Sequence, residues 1–182
     1  MGMENFISKV KETFSSGPEV LQRPLTAGET IPDKIFKTAR LRQEKTEKAH
    51  ADISAANTRM NDLTVKFAEL KKQFEEKSKT KKLTAFDAGE GKTIFYALST
   101  VKTSMENEMG NANDSKKIGD DNLTTVRSQY EPYLGGQGGE NLRPVLDQIA
   151  GRSTEIQQVF GDISSKNKST EIQRIIDALY QA

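Results

Sequence analysis

The chain has 182 residues, 27 Lys or Arg against 26 Asp or Glu, a formal net charge of +1, 34% apolar residues and neither Cys nor Trp. The missing Cys excludes disulfides, thiolate metal sites and a cysteine nucleophile, and it agrees with a cytoplasmic location. The apolar share is low for a compact globule and suits helical rods with much wet surface, and no apolar run is long enough for a transmembrane helix.

The first element, within residues 1–17, is an amphipathic segment. Met3, Phe6, Ile7, Val10 and Phe14 recur at helical spacing, with Glu4, Ser8, Lys11 and Glu12 opposite. A helix this short is marginal alone in water, so it needs a surface. Two surfaces suit it: the chain's own bundle, or a membrane interface entered by Phe6, Ile7, Val10 and Phe14. The start lacks the basic region and apolar stretch of a secretory signal. Gly2 suits myristoylation, but Phe6 stands where that pattern needs Ser or Thr. Residues 18–32 carry Pro18, Pro24, Gly28 and Pro32 and read as a linker. Asp33 is then the expected N-cap of the next helix.

That helix carries a ladder of alternating four and three spacings: Ile35, Ala39, Arg42, Thr46, Ala49, Ile53, Ala56, Met60, Leu63, Phe67, Leu70 and Phe74. This alternation is the seam of a coiled coil, and only Arg42 and Thr46 break its small or apolar character. No Gly or Pro interrupts residues 33–83, enough for a rod of roughly 75 Å. The oligomer or bundle contacts are expected at Ile35, Ala39, Ile53, Met60, Leu63, Phe67, Leu70 and Phe74. The rod ends in six lysines, Lys71, Lys72, Lys77, Lys79, Lys81 and Lys82. They complement the negative end of a helix dipole and also suit an anionic leaflet. From Lys34 to Leu83 there are 14 basic against 7 acidic residues, and from Asp120 onward 6 against 9. The two parts either neutralise each other by packing or leave the basic helix facing an anionic surface.

After a turn at 84–91, a second ladder runs through Ile94, Leu98, Val101, Met105, Met109, Ala112, Lys116, Gly119, Leu123, Val126, Tyr130 and Tyr133, with a stutter between Met105 and Met109. Gly110 and Gly119 weaken its middle, which leaves open one kinked helix or two. Residues 33–134 thus read as a long helical hairpin. Residues 135–140 form a Gly-rich loop. Residues 141–182 hold two shorter helices, the first capped by Asn141 with Pro144 in its first turn, the second starting near Ser169 and carrying Ile172, Ile175, Ile176, Leu179 and Tyr180. They dock on the bundle or on a partner. No stretch alternates like a strand. The expected fold is all-α, an elongated antiparallel helical bundle or coiled coil with a long first helix.

Chemistry-bearing motifs are lacking. Ala88 to Thr93 imitates the end of a phosphate-binding loop, but Phe86 replaces its first Gly and a helix precedes it. His50 is the single His and belongs to no triad or metal cluster. The chain is therefore read as no enzyme, with no cofactor, metal or small-molecule substrate. Its balanced charge and missing recognition module argue against nucleic acid.

Together, the amphipathic segment 3–16, the rod opening with Phe36-Lys37-Thr38-Ala39-Arg40-Leu41-Arg42, the basic tip at Lys71–Lys82 and the second segment from Ala97-Leu98-Ser99-Thr100-Val101 to Tyr130-Glu131-Pro132-Tyr133-Leu134 resemble a BAR domain. The resemblance implies an antiparallel dimer of kinked three-helix coiled coils that binds curved membrane. The chain departs from that pattern in being short and in breaking into short helices after Gly139. Two functions follow as expectations. One is a cytoplasmic, peripheral membrane-binding scaffold, a homodimer or higher homo-oligomer that meets anionic lipid through the N-terminal segment and the lysine tip. The other is an assembly protein whose seam joins like subunits in a filament, a secretion apparatus or a viral particle.

Overall fold

The computed structural model describes residue 25 and residues 27–181. Helix α1 spans Ile31–Ser78, α2 Glu90–Thr125, α3 Gly139–Lys166 and α4 Ser169–Gln181. A π-helical turn, Val126–Tyr130, and a 3-10 turn, Glu131–Tyr133, close α2. Among the described residues there is no strand, and the fold is an all-α helical bundle.

The start of α1 differs from expectation. Thr30 is the cap: its Oγ1 accepts from the Asp33 backbone N–H at 3.3 Å, and Asp33 Oδ2 accepts from the Thr30 backbone N–H at 3.2 Å. This reciprocal capping box satisfies two donors that a helix start otherwise leaves open. Asp33 is therefore the third helical residue, and its hydrogen bonds from Thr30 hold its carboxyl below the usual range. Pro32 sits in the first turn, where its missing N–H costs nothing. Helix α3 likewise begins at Gly139, ahead of Asn141, so Pro144 falls in the second turn and faces solvent.

The chain packs as two compact units. Of the described residues, the first comprises those up to Ala49 together with Lys117–Glu155, and the second comprises His50–Lys116 with those from Ile156 onward. In the first unit Ile35 and Ala39 of α1 meet Val126 and Tyr130, and Leu142, Val145, Leu146 and Ile149 of α3, with Phe36, Tyr133 and Leu134 packed around them. Each large apolar side chain buried here contributes about 1.5–3 kcal/mol. Next to this core lies a closed polar layer. Asn122 of α2 is 0% exposed. Its amide donates to Thr46 Oγ1 at 2.7 Å and to Ser153 Oγ at 3.1 Å, and its Oδ1 accepts from Arg42 Nη1 at 2.7 Å. The two hydroxyls donate in turn to the Arg42 and Ile149 carbonyls, and Arg42 also reaches Asp121 at 3.1 Å. Gln43 pairs with Gln148 and Glu47 with Arg152 on the α1–α3 face. These pairs run α2 antiparallel and α3 parallel to α1.

In the second unit Ile53, Ala56, Met60 and Phe67 of α1 are buried with Ile94, Leu98, Val101, Met105 and Ala112 of α2, Ile156 and Ile163 of α3, and Ile172, Ile176 and Leu179 of α4. Arg59 grips Glu108 with two bonds, Nε to Oε1 at 2.7 Å and Nη2 to Oε2 at 3.0 Å. Lys166 donates to Asn57 Oδ1 at 3.0 Å. Asn167 Oδ1 accepts from the Ser169 backbone N–H at 3.1 Å and from its hydroxyl, which caps α4 where α3 stops.

Residues 90–125 form one continuous helix through Gly110 and Gly119, so packing overrides their low propensity. The expected stutter is absent. From α2 into the π turn, Ile94, Leu98, Val101, Met105, Glu108, Ala112, Ser115, Gly119, Asn122 and Val126 are buried at an unbroken four–three alternation, with Thr125 buried beside Val126. Polar residues occupy three of its positions. Glu108 replaces Met109 on the seam because Arg59 compensates its charge.

Two glycines shape the turns. A Cβ on Gly91 would collide with the Thr84 carbonyl, so only Gly lets the 79–89 turn lie against the start of α2. Gly138 sits at φ +81° with Pro32 Cβ 3.4 Å from where its own Cβ would stand. Gly138→Ala should cost about 1–2 kcal/mol from the left-handed backbone alone. A denaturant titration measures it, and an unchanged midpoint would show that the turn relaxes freely.

Candidate functional site

The seam expected along α1 is where the side chains are hidden. Ile35, Ala39, Ile53, Met60 and Phe67 are buried, while Leu63, Leu70 and Phe74 are half-buried. Leu63 and Leu70 stay partly open because they line a groove of about 380 Å³ with Ala97 and Val101 of α2. Phe6, Ile7, Val10 and Phe14 lie outside the described residues.

The lysine tip divides into two sets. Lys71 Nζ bonds Glu171 of α4 at 2.7 Å, and Lys77 Nζ bonds Glu90 of α2 at 3.0 Å. The hydrogen bond and charge of Lys77 hold the Glu90 carboxyl below its ordinary value, with a smaller contribution from Lys81. The hydrogen bond from Lys71 does the same for Glu171. These two lysines fasten α1 to its neighbours. In contrast, Lys72, Lys79, Lys81 and Lys82 are exposed. The last three follow the end of α1, where Thr80 and Lys81 backbone N–H groups close on the Lys77 carbonyl.

The turn carrying these lysines is pinned. Leu83 is buried beneath it, and the Ala85 backbone N–H donates to the Leu179 carbonyl at 3.0 Å. The end of α1, the start of α2 and the end of α4 thus meet in one place. Four of the chain's twelve Phe and Tyr residues gather there. Phe86 is 70% exposed, Tyr96 59% and Tyr180 53%, and Phe95 is half-buried. The rings touch edge to face: Phe86 on Tyr180 at 5.3 Å, Phe95 on Tyr180 at 5.2 Å and Phe95 on Tyr96 at 5.5 Å between centroids. Lys92 Nζ stands 5.9 Å from the Tyr96 ring centre, within cation–π range.

Sequence reasoning finds the lysines and misses the rings. Phe86 lies in a turn and Tyr180 in the last helix, far apart along the chain, and neither belongs to a ladder with the other. The one available signal is Phe86 itself, a large apolar side chain in a turn that serves no seam.

Among the described residues no group of His, Cys, Asp or Glu is arranged to hold a metal ion, and no helix is long and apolar enough to cross a membrane. What the site offers is exposed aromatic surface with Lys92 over one ring and exposed lysines on the same turn as Phe86. No protein-family model, curated protein or solved structure matches the chain.

Proposed function

We propose that the chain is a peripheral membrane-binding helical scaffold whose lysine-bearing turn meets an anionic lipid surface. The observation that supports this is the division of the tip lysines. Lys71 and Lys77 are engaged in ion pairs, whereas Lys72, Lys79, Lys81 and Lys82 are exposed, as is Lys92 at the start of α2. Helix capping requires no such number of exposed cations. Each Lys close to an anionic leaflet contributes about 1 kcal/mol, so five give weak, reversible association that a second signal would strengthen. The N-terminal segment with Phe6, Ile7, Val10 and Phe14 is the proposed second signal.

The test is co-sedimentation with vesicles of phosphatidylcholine alone and of phosphatidylcholine with phosphatidylserine. Binding should need the anionic lipid and should weaken as salt rises past about 0.15 M, where charges are screened over roughly 8 Å. Equal recovery with neutral vesicles, or none with anionic vesicles at low salt, would refute the proposal.

The open groove bounded by Leu63, Leu70, Ala97 and Val101 favours a second reading, self-association in an assembly. An open apolar groove between two helices is the kind of surface on which an amphipathic helix docks. Sedimentation equilibrium without lipid distinguishes the two readings: a concentration-dependent rise in mass that Leu70→Glu abolishes would support assembly through this groove.

A further inference from the structure

We propose that Phe86, Phe95, Tyr96 and Tyr180 form a preorganised aromatic wedge that enters the headgroup–acyl boundary of an anionic bilayer, with Phe86 leading. The inference rests on the membrane reading above and extends it from a charged footprint to a depth of insertion.

Three of these rings are more than half exposed at one end of a single compact unit. Large apolar side chains scattered singly on a surface need no explanation, but a contiguous group marks an interaction site. Its surroundings select the partner. Lys79, Lys81 and Lys82 lie on the same turn as Phe86, and Lys92 stands over Tyr96. Exposed apolar rings accompanied by cations match a bilayer whose anionic headgroups overlie hydrocarbon. Tyr rings, apolar in body and polar at the tip, favour that boundary.

The wedge is also held in place. Tyr180 packs edge to face on both Phe86 and Phe95, and it stands next to buried Leu179, whose carbonyl accepts from Ala85. Ile172 and Ile176 anchor the rest of α4. A cluster fixed in this way loses little side-chain freedom on insertion, which favours binding. The lysines bring the surface close, and the rings then hold it by a contact that salt does not screen.

The absence of Trp from the chain supplies the test. Phe86→Trp, at a position 70% exposed, places a single reporter at the leading ring, and its circular dichroism and melting curve should match those of the parent. On titration with phosphatidylcholine–phosphatidylserine vesicles the emission should shift to the blue, and lipids brominated near the top of the acyl chain should quench it. Phe86→Ser should lower partitioning roughly tenfold while leaving the salt dependence in place. If Phe86→Trp sediments with anionic vesicles but its emission stays that of a water-exposed ring, the wedge is refuted and the electrostatic reading stands. If nothing sediments, both fall. A blue shift without vesicles that grows with protein concentration would assign the rings to a contact between copies and would overturn the proposal.

Discussion

Reversing Lys79, Lys81 and Lys82 together to Glu is expected to reduce binding to anionic vesicles by at least about a hundredfold. Three lysines near the surface contribute about 3 kcal/mol, close to 150-fold at 1.4 kcal/mol per tenfold, and repulsion from the new carboxylates adds to the loss. The fold should tolerate the change. All three side chains are exposed on the turn after α1, and the dipole complement they provide is worth about 0.3–1 kcal/mol each at most. The control is Lys71→Gln with Lys77→Gln. Those lysines face Glu171 and Glu90, so their loss removes two partly exposed pairs worth about 0–1 kcal/mol each and leaves the outward charge in place. Lys→Glu changes the charge by two units and Lys→Gln by one, so an equal loss of vesicle binding per unit of charge in the two variants would mean that total charge, and not this turn, governs association. Unchanged binding in the triple variant would remove the turn from the mechanism.

Asn122→Ala is expected to destabilise the protein by about 3 kcal/mol, and so to lower its melting temperature by roughly 6–12 °C. Three hydrogen bonds meet on this amide. Its removal leaves a void and takes one acceptor from the half-buried Arg42 guanidinium. Ser153→Ala should cost about 1 kcal/mol, because its hydroxyl only joins the amide to the Ile149 carbonyl. A double-mutant cycle between Asn122 and Arg42 should return a coupling of about 1 kcal/mol or more. A loss below about 0.5 kcal/mol in Asn122→Ala would show that the layer is dispensable. The layer also selects register. A slip of α2 by one heptad would set Asn122 against Ala39 or Ile53 in place of Thr46, and neither can bond it. A polar residue inside a seam specifies alignment in this way at some expense of stability.

The same layer explains what could be read from the residues alone. The α1 seam was legible because apolar and small side chains fill it almost throughout, and hydrophobic period is the strongest local signal of structure. The expected α2 seam is one residue off at Met109, Lys116 and Leu123 alone, because the polar Glu108, Ser115 and Asn122 hold those positions. The partners that make their burial possible, Arg59 for Glu108 and Thr46 for Asn122, lie 49 and 76 residues away. No local window contains both halves of such a pair. Pro32 masks the capping box at Thr30, because a helix is expected to start after a proline and Asp33 is itself a good capping residue. The lysine tip was visible as composition, but its division into paired and outward-facing cations depends on Glu90 and Glu171. The aromatic cluster has no local signature, because it exists only where the Ala85–Leu179 bond holds the turn against the end of α4.

The π turn at Val126–Tyr130 gives the bundle a tolerance to changes in chain length. The four–three alternation that runs through Asn122 and Val126 would next place Gln129 inward, yet Tyr130 is the buried ring and Gln129 is only half-buried. The wider turn absorbs one surplus residue and returns the tyrosine to the core, as π turns inside α-helices do. A related chain one residue shorter here could wind as plain α-helix and present the same ring to Ile35, Ala39 and Leu142. The same loss elsewhere in α2 would rotate every following side chain by about 100°. Deletion of one residue within 126–130 should therefore leave the melting temperature nearly unchanged, whereas the same deletion in the middle of α2 should turn core side chains out to water and unfold the protein.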